Sequence, residues 1–200
     1  MAKKNRFEYL KDFVADEHGK YVYVGTTYTL DPGESGKNRF QILGIPALLS
    51  GAAFLFSILT GIIPAPHMNG HAAVILSYAA ALIGSALTAI CAFRILFTRD
   101  PVRDYTYKET VEKLVPNAWI AVIGFGISVP AYIYFVIRYG MCSPEWASVL
   151  FIVFQLLGGI SSYLTVFWGG KICYKAHPGK KQEENTKDPE LPDPDEYRVV

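Results

Sequence analysis

Two short stretches gather the residue types that could bind a metal. PAPHMNGH, residues 64–71, sets His67 and His71 four apart with Met68 between them, and YGMCSPEW, residues 139–146, adds Met141, Cys142 and Glu145. Imidazole, thioether and thiolate together suit copper(I) or zinc, so His67, His71 and Cys142 are the candidate metal ligands of this chain. The same letters also spell an ordinary turn. Pro64, Pro66, Asn69 and Gly70 are turn residues, and Pro66 with Gly70 disfavours a regular helix through the histidine pair. The spacing of four therefore does not by itself bring the two rings onto one face. The plain loop is the favoured reading, and no metal or other cofactor is expected.

Other chemistry has less support. Cys91 and Cys173 complete the cysteines, and no CxxC occurs, so a dithiol oxidoreductase lacks its reactive pair. No Walker loop, GxGxxG turn, HExxH or GxSxG is present. Enzymatic activity is not expected. The missing dithiol separates the chain from quinone-linked thiol reductases, and loops without Cys-Cys-Gly separate it from tetraspanins.

What must position these loops is set by the distribution of charge. Charged residues make up 18% of the chain, yet none falls within 41–63, 72–93, 116–137 or 147–170. Each stretch has the roughly 20 apolar residues that a helix needs to cross about 30 Å of hydrocarbon, and a chain in lipid must satisfy its backbone within the helix. The expected fold is an all-α integral membrane protein, a four-helix transmembrane bundle. Its spans are 40–63, 72–97, 116–138 and 146–170, with outer loops at 64–71 and 139–145. Residues 1–39 are polar and offer no signal-peptide core, so span one is expected to act as an uncleaved insertion signal. Of the 19 lysines and arginines, all but Arg138 lie in 1–39, 94–115 or 170–200. The positive-inside rule makes those three segments cytoplasmic, which predicts a plasma-membrane protein with both termini inside. Trp146 and Trp168, 22 residues and so about 33 Å apart along a helix, suit two interfacial belts, with Trp119 in the inner one.

Packing signals follow. In span two Ala73, Ser77, Ala81, Ser85 and Ala89 form one row at i+4, and Ala80, Gly84, Thr88 and Ala92 form the adjacent row. Small rows let helix backbones approach closely in lipid. In span four Gln155, Gly158, Gly159 and Ser162 share a face, and in span three Gly124 and Gly126 precede Pro130, where a kink is expected. No Asp, Glu, Lys, Arg or His lies in a span interior, which argues against proton-coupled transport.

On the cytoplasmic side, two aromatic and β-branched runs in 7–30 flank ADEHGK and predict a short β-hairpin. Thr106 and Glu109 have capping-box spacing, which predicts an interfacial helix within 98–115 that ends at Pro116 before span three. The segments GTTYTLD and DYTYKET are faintly alike, too faintly to establish a repeat. The acidic, proline-containing tail, 171–200, is expected to be disordered; its last residues, Tyr197 to Val200, match short sorting and docking patterns that arise easily by chance.

Two functions remain open at this point. The first is a non-enzymatic interaction, assembly or regulatory subunit that meets the bilayer and a protein partner or a second copy, and no nucleic acid. The alternative is a small carrier or channel component with a neutral polar path near Gln155.

Overall fold

A computed structural model describes residues 12–15, 21–31, 38–64, 71–140 and 145–179. Four helices dominate it: α1 (Arg39–Ile62), α2 (Ala72–Phe97), α3 (Asp104–Tyr139) and α4 (Glu145–Gly169). Each is long and apolar enough to cross a membrane, with mean hydropathy between 1.9 and 2.2 over its most apolar stretch. Short connections make sequential helices antiparallel neighbours. α4 also packs on α1, so the four helices close into a ring.

The α2–α3 contact is the most extensive, and its cause is the absence of two side chains. A Cβ on Gly84 would stand 2.6 Å from the backbone nitrogen of Ala121. One on Gly124 would collide with the backbone of Ala81 and Ser77. The two helices therefore touch backbone to backbone at two levels, each glycine facing an alanine. Phe125 then fills the space toward α4. Its ring lies where a Cβ on Gly158 would fall, 2.5 Å away, and it is only 2% exposed. Ser77, Ala81, Gly84 and Ser85 are buried in α2, as are Gln155, Gly158 and Ser162 in α4. Gly159 is half-buried.

Ala73 departs from the expected packing row, for it is exposed. Successive i+4 positions drift by about 40° around a helix turning 100° per residue. Two steps back from Ala81 the row has swung out of the contact.

Three further expectations are corrected. The separate interfacial helix does not exist, because α3 runs unbroken from Asp104 through Pro116 and Pro130. Pro116 and Glu112, the residue whose carbonyl the proline deprives of its partner, both lie on the exposed face, so the helix continues without burying an unpaired group. Thr106 is accordingly not a cap. It sits buried in the first turns, where its carbonyl accepts from the Thr110 hydroxyl at 2.6 Å. At 36 residues α3 is about 54 Å long, so its first three turns reach beyond the apolar part of the bundle. Finally, the segment after α4 is not wholly irregular. It forms β5 (Tyr174–His177); residues 180–200 lie outside the described part.

β5 completes a sheet that the sequence did not announce. β3 (Thr27–Leu30) is its centre, with β4 (Val102–Arg103) on one edge and β5 on the other, all antiparallel. Leu30 pairs with Tyr174 and Thr27 with His177; on the other side Tyr28 pairs with Val102. Three segments remote in sequence are thus joined at one end of the bundle. The stacked rings of Tyr28 and Tyr107, 4.0 Å apart, fasten the sheet to α3, and Tyr174 meets Tyr107 edge-on. Burial against α3 pushes the Tyr174 phenol up to about 12. The two Tyr/Thr segments hence lie side by side, one as strand and one as helix.

Arg39 locks the same end. Its guanidinium donates to the carbonyls of Ile95, at 3.1 Å, and Thr98, and pairs with Asp100 at 2.9 Å. A cation so placed satisfies the open carbonyls at the end of α2. The expected hairpin is present as β1 (Phe13–Ala15) against β2 (Tyr21–Tyr23), with Phe13 opposite Tyr23 and Val14 opposite Val22.

The glycine contacts yield the first test. Gly84→Ala and Gly124→Ala should each lower stability in mild detergent by about 1–3 kcal/mol, because the added methyl meets backbone that cannot rotate away. Gly44→Ala, where a Cβ meets nothing within 4 Å, should be neutral or slightly stabilising through helix propensity. Thermal melts of the three variants give the comparison; equal melting temperatures would mean that α2 and α3 are not in contact there.

Candidate functional site

The bundle interior is rich in hydroxyls, most of which are answered locally. Ser50, Ser57, Thr60, Ser77, Thr88 and Thr165 each donate to a carbonyl three or four residues earlier in their own helix. Others tie helices together. The Ser57 and Ser85 hydroxyls lie 3.1 Å apart, Tyr78 donates to the Ser57 carbonyl at 3.0 Å, and Tyr132 donates to Ser148 at 3.0 Å. Such interhelical bonds average about 0.6 kcal/mol.

Three buried side chains break this pattern. Ser128, Gln155 and Ser162 are 0%, 0% and 2% exposed. Among the described residues none of their side-chain polar atoms has a partner, including both the amide nitrogen and the amide oxygen of Gln155. Gln155 and Ser128 are level with each other. Tyr132 meets Ser148 above them, and Phe125 meets Gly158 below. Unpaired buried polar atoms are rare and call for an explanation.

Gln155 also borders an apolar groove. The groove has a volume of about 450 Å³ and runs between α3 and α4. Gly126, Val129 and Pro130 form one wall, with Gln155, Gly159 and Tyr163 on the other. Its shape comes from missing atoms, since a Cβ on Gly126 would meet nothing within 4 Å. Pro130 has no N–H, so the Gly126 carbonyl lacks its helical partner on this same wall. Tyr163 and Leu156, at 55% and 48% exposed, mark the rim on the outer surface of the bundle.

A second, polar recess of about 320 Å³ lies beside the sheet, bordered by Asp12, Thr26, Tyr28, Asp104 and Lys108. Three of its groups, Tyr28, Asp104 and Lys108, are already paired with one another. Asp104 receives Lys108 at 2.7 Å and the Tyr28 hydroxyl at 3.2 Å. Burial, reinforced by the Asp104 charge, raises the Tyr28 phenol above its ordinary value.

The metal-ligand candidates are only partly visible. His67, Met68, Met141 and Cys142 lie outside the described residues. His71 precedes α2 and stacks on Phe135, with ring centroids 3.5 Å apart, and more loosely on Tyr139. Glu145 opens α4 and is exposed. Among the described residues no group of three His, Cys, Asp or Glu side chains is placed to hold a metal ion. Of the residues singled out in span four, the structure brings Gln155 and Gly159 to the groove and buries Gly158 and Ser162 behind it. Ser128 was not anticipated. The signal was there in the small inward row Ala118, Ala121, Gly124 and Ser128, at helical steps of three, three and four.

No family model, no curated protein and no solved structure matches this chain.

An unpaired buried amide costs about 1–3 kcal/mol relative to an apolar group of the same shape. Gln155→Met, close in length and free of polar atoms, should therefore hold or raise the melting temperature in detergent. A fall of several degrees would show that the amide has a stabilising partner.

Proposed function

We propose that this chain is a four-span integral membrane protein of the cell membrane, with both termini cytoplasmic. In this reading it acts without catalysis, as an interaction or assembly subunit for a protein partner. Four apolar helices support the membrane setting, and the gathering of all lysines and arginines but Arg138 in the segments 1–39, 94–115 and 170–200 supports the orientation. A bundle filled by Phe125, Tyr132 and Phe151, each 2% exposed or less, favours a scaffold over a conduit.

One observation carries the interaction role. The β1–β2 hairpin is fastened on one face and bare on the other. Arg103 lies over the rings of Phe13 and Tyr23 at 5.4 and 5.6 Å, and so holds that face to the start of α3. Side chains alternate across a strand, so the paired Val14 and Val22 point the opposite way, and both are exposed. A two-stranded ribbon is marginal alone. An anchored ribbon with a free apolar face is a surface ready for a protein partner.

The carrier alternative rests on Gln155. A carrier needs a path along the helices, whereas the groove of Gln155 lies on the side of the bundle between α3 and α4. That position supports a bound molecule better than a transported one.

A photo-crosslinking amino acid at Val22, irradiated in intact cells, should give a protein adduct of defined mass. Val14→Ser should remove the adduct while changing bundle stability by no more than about 0.5 kcal/mol, as expected of a surface site. Adducts to lipid alone, or none, would count against the interaction role and place the hairpin on headgroups.

A further inference from the structure

We infer that the α3–α4 groove is a binding site for an uncharged, lipid-soluble alcohol, held by its hydroxyl at Gln155 and by its hydrocarbon body along the groove. The inference rests on the four-span reading given above, and goes beyond the docking role assigned to the hairpin.

The chemistry of the wall selects the ligand. The Gln155 amide offers two N–H donors and a carbonyl acceptor, all unanswered among the described residues. The Gly126 carbonyl, released by Pro130, is a further acceptor on the facing wall. A hydroxyl both donates and accepts, so a single one can serve the amide nitrogen and either carbonyl. Gln155 borders the groove, and because the terminal torsion of glutamine is broad, either its oxygen or its nitrogen can be the end on that side. Everything else named on the walls, from Val129 and Gly159 to the ring of Tyr163, is suited to hydrocarbon.

Depth then excludes most lipids. Gln155 stands ten residues into α4, about 15 Å along its axis, which is near the middle of a hydrocarbon core of about 30 Å. Charged and zwitterionic headgroups are costly to bring there. An uncharged alcohol on a long apolar chain can reach this level. Size agrees, since small-molecule pockets run from roughly 300 to 1,000 Å³ and are mostly apolar with a few placed polar groups.

The test uses the full chain, extracted from membranes in mild detergent, and a long-chain isoprenoid alcohol bearing a diazirine. A matched hydrocarbon without the hydroxyl serves as the second probe. Failure to recover the chain in the detergent extract would contradict the membrane reading, and is scored before any probe is added. The alcohol should label the α3–α4 walls saturably, and Gln155→Leu should weaken that labelling about fivefold, the worth of one hydrogen bond. Gly126→Leu should abolish it by filling the groove, and that variant should fold because its Cβ enters open space. Equal labelling by the two probes, labelling unchanged in both variants, or crosslinks joining two copies through this groove would each overturn the proposal.

Discussion

Everything in the bundle follows from how closely α2 can approach α3. Gly84 against Ala121 and Gly124 against Ala81 leave no room for a single added carbon on either glycine. In the proposed membrane setting, burial of apolar surface does not favour helix association, because lipid is as apolar as the helix face. Close packing of backbone on backbone then joins the interhelical hydrogen bonds in holding the helices together. Once these two helices are in register, the position of Phe125 is set, and Phe125 in turn requires Gly158 on α4. The α4 face so turned inward carries Gln155 and Ser162 with it. The placement of the unpaired amide is thus a consequence of glycines on three helices.

Length is the second constraint. α3 is longer than any bilayer needs, and its extra turns carry Tyr107, Thr110 and Leu114 to the level where the other helices stop. Strands from three separate connections meet there, and each brings a contact to the same helix or its neighbours. Tyr28 stacks on Tyr107, and Leu114 packs near Leu43 and Ile95. Arg39 closes the end of α2. The sheet ties the beginning, middle and end of the described chain into one body, which gives the proposed docking hairpin a rigid base.

Much of this is legible in the residues, and the exceptions have causes. The four helices were visible because charge stops and starts abruptly, at Arg39, Arg94, Arg138 and Lys171. The hairpin was visible because its partners are adjacent in sequence. The three-stranded sheet was not, since β4 contributes only Val102 and Arg103, its partner β3 lies about 75 residues earlier, and β5 is farther still from β3 along the chain. Pairing of that kind leaves no periodicity to read. Pro116 misled because its freed carbonyl, on Glu112, lies on the exposed face of α3, and exposure is a property of the fold. Gln155 was recognisable as polar in an apolar span. That its amide has no partner among the described residues could be learned only from what surrounds it.

The central claim is that the three basic segments share one side of a membrane and the two short loops share the other. Single cysteines on a background lacking Cys91, Cys142 and Cys173, probed with an impermeant maleimide in intact cells, measure this directly. Cysteines at Asn69 and Ser143 should label from outside, whereas those at Ser35 and Asn185 should label only after the cells are opened. Labelling of Ser35 or Asn185 in intact cells, or protection of both Asn69 and Ser143, would contradict the account.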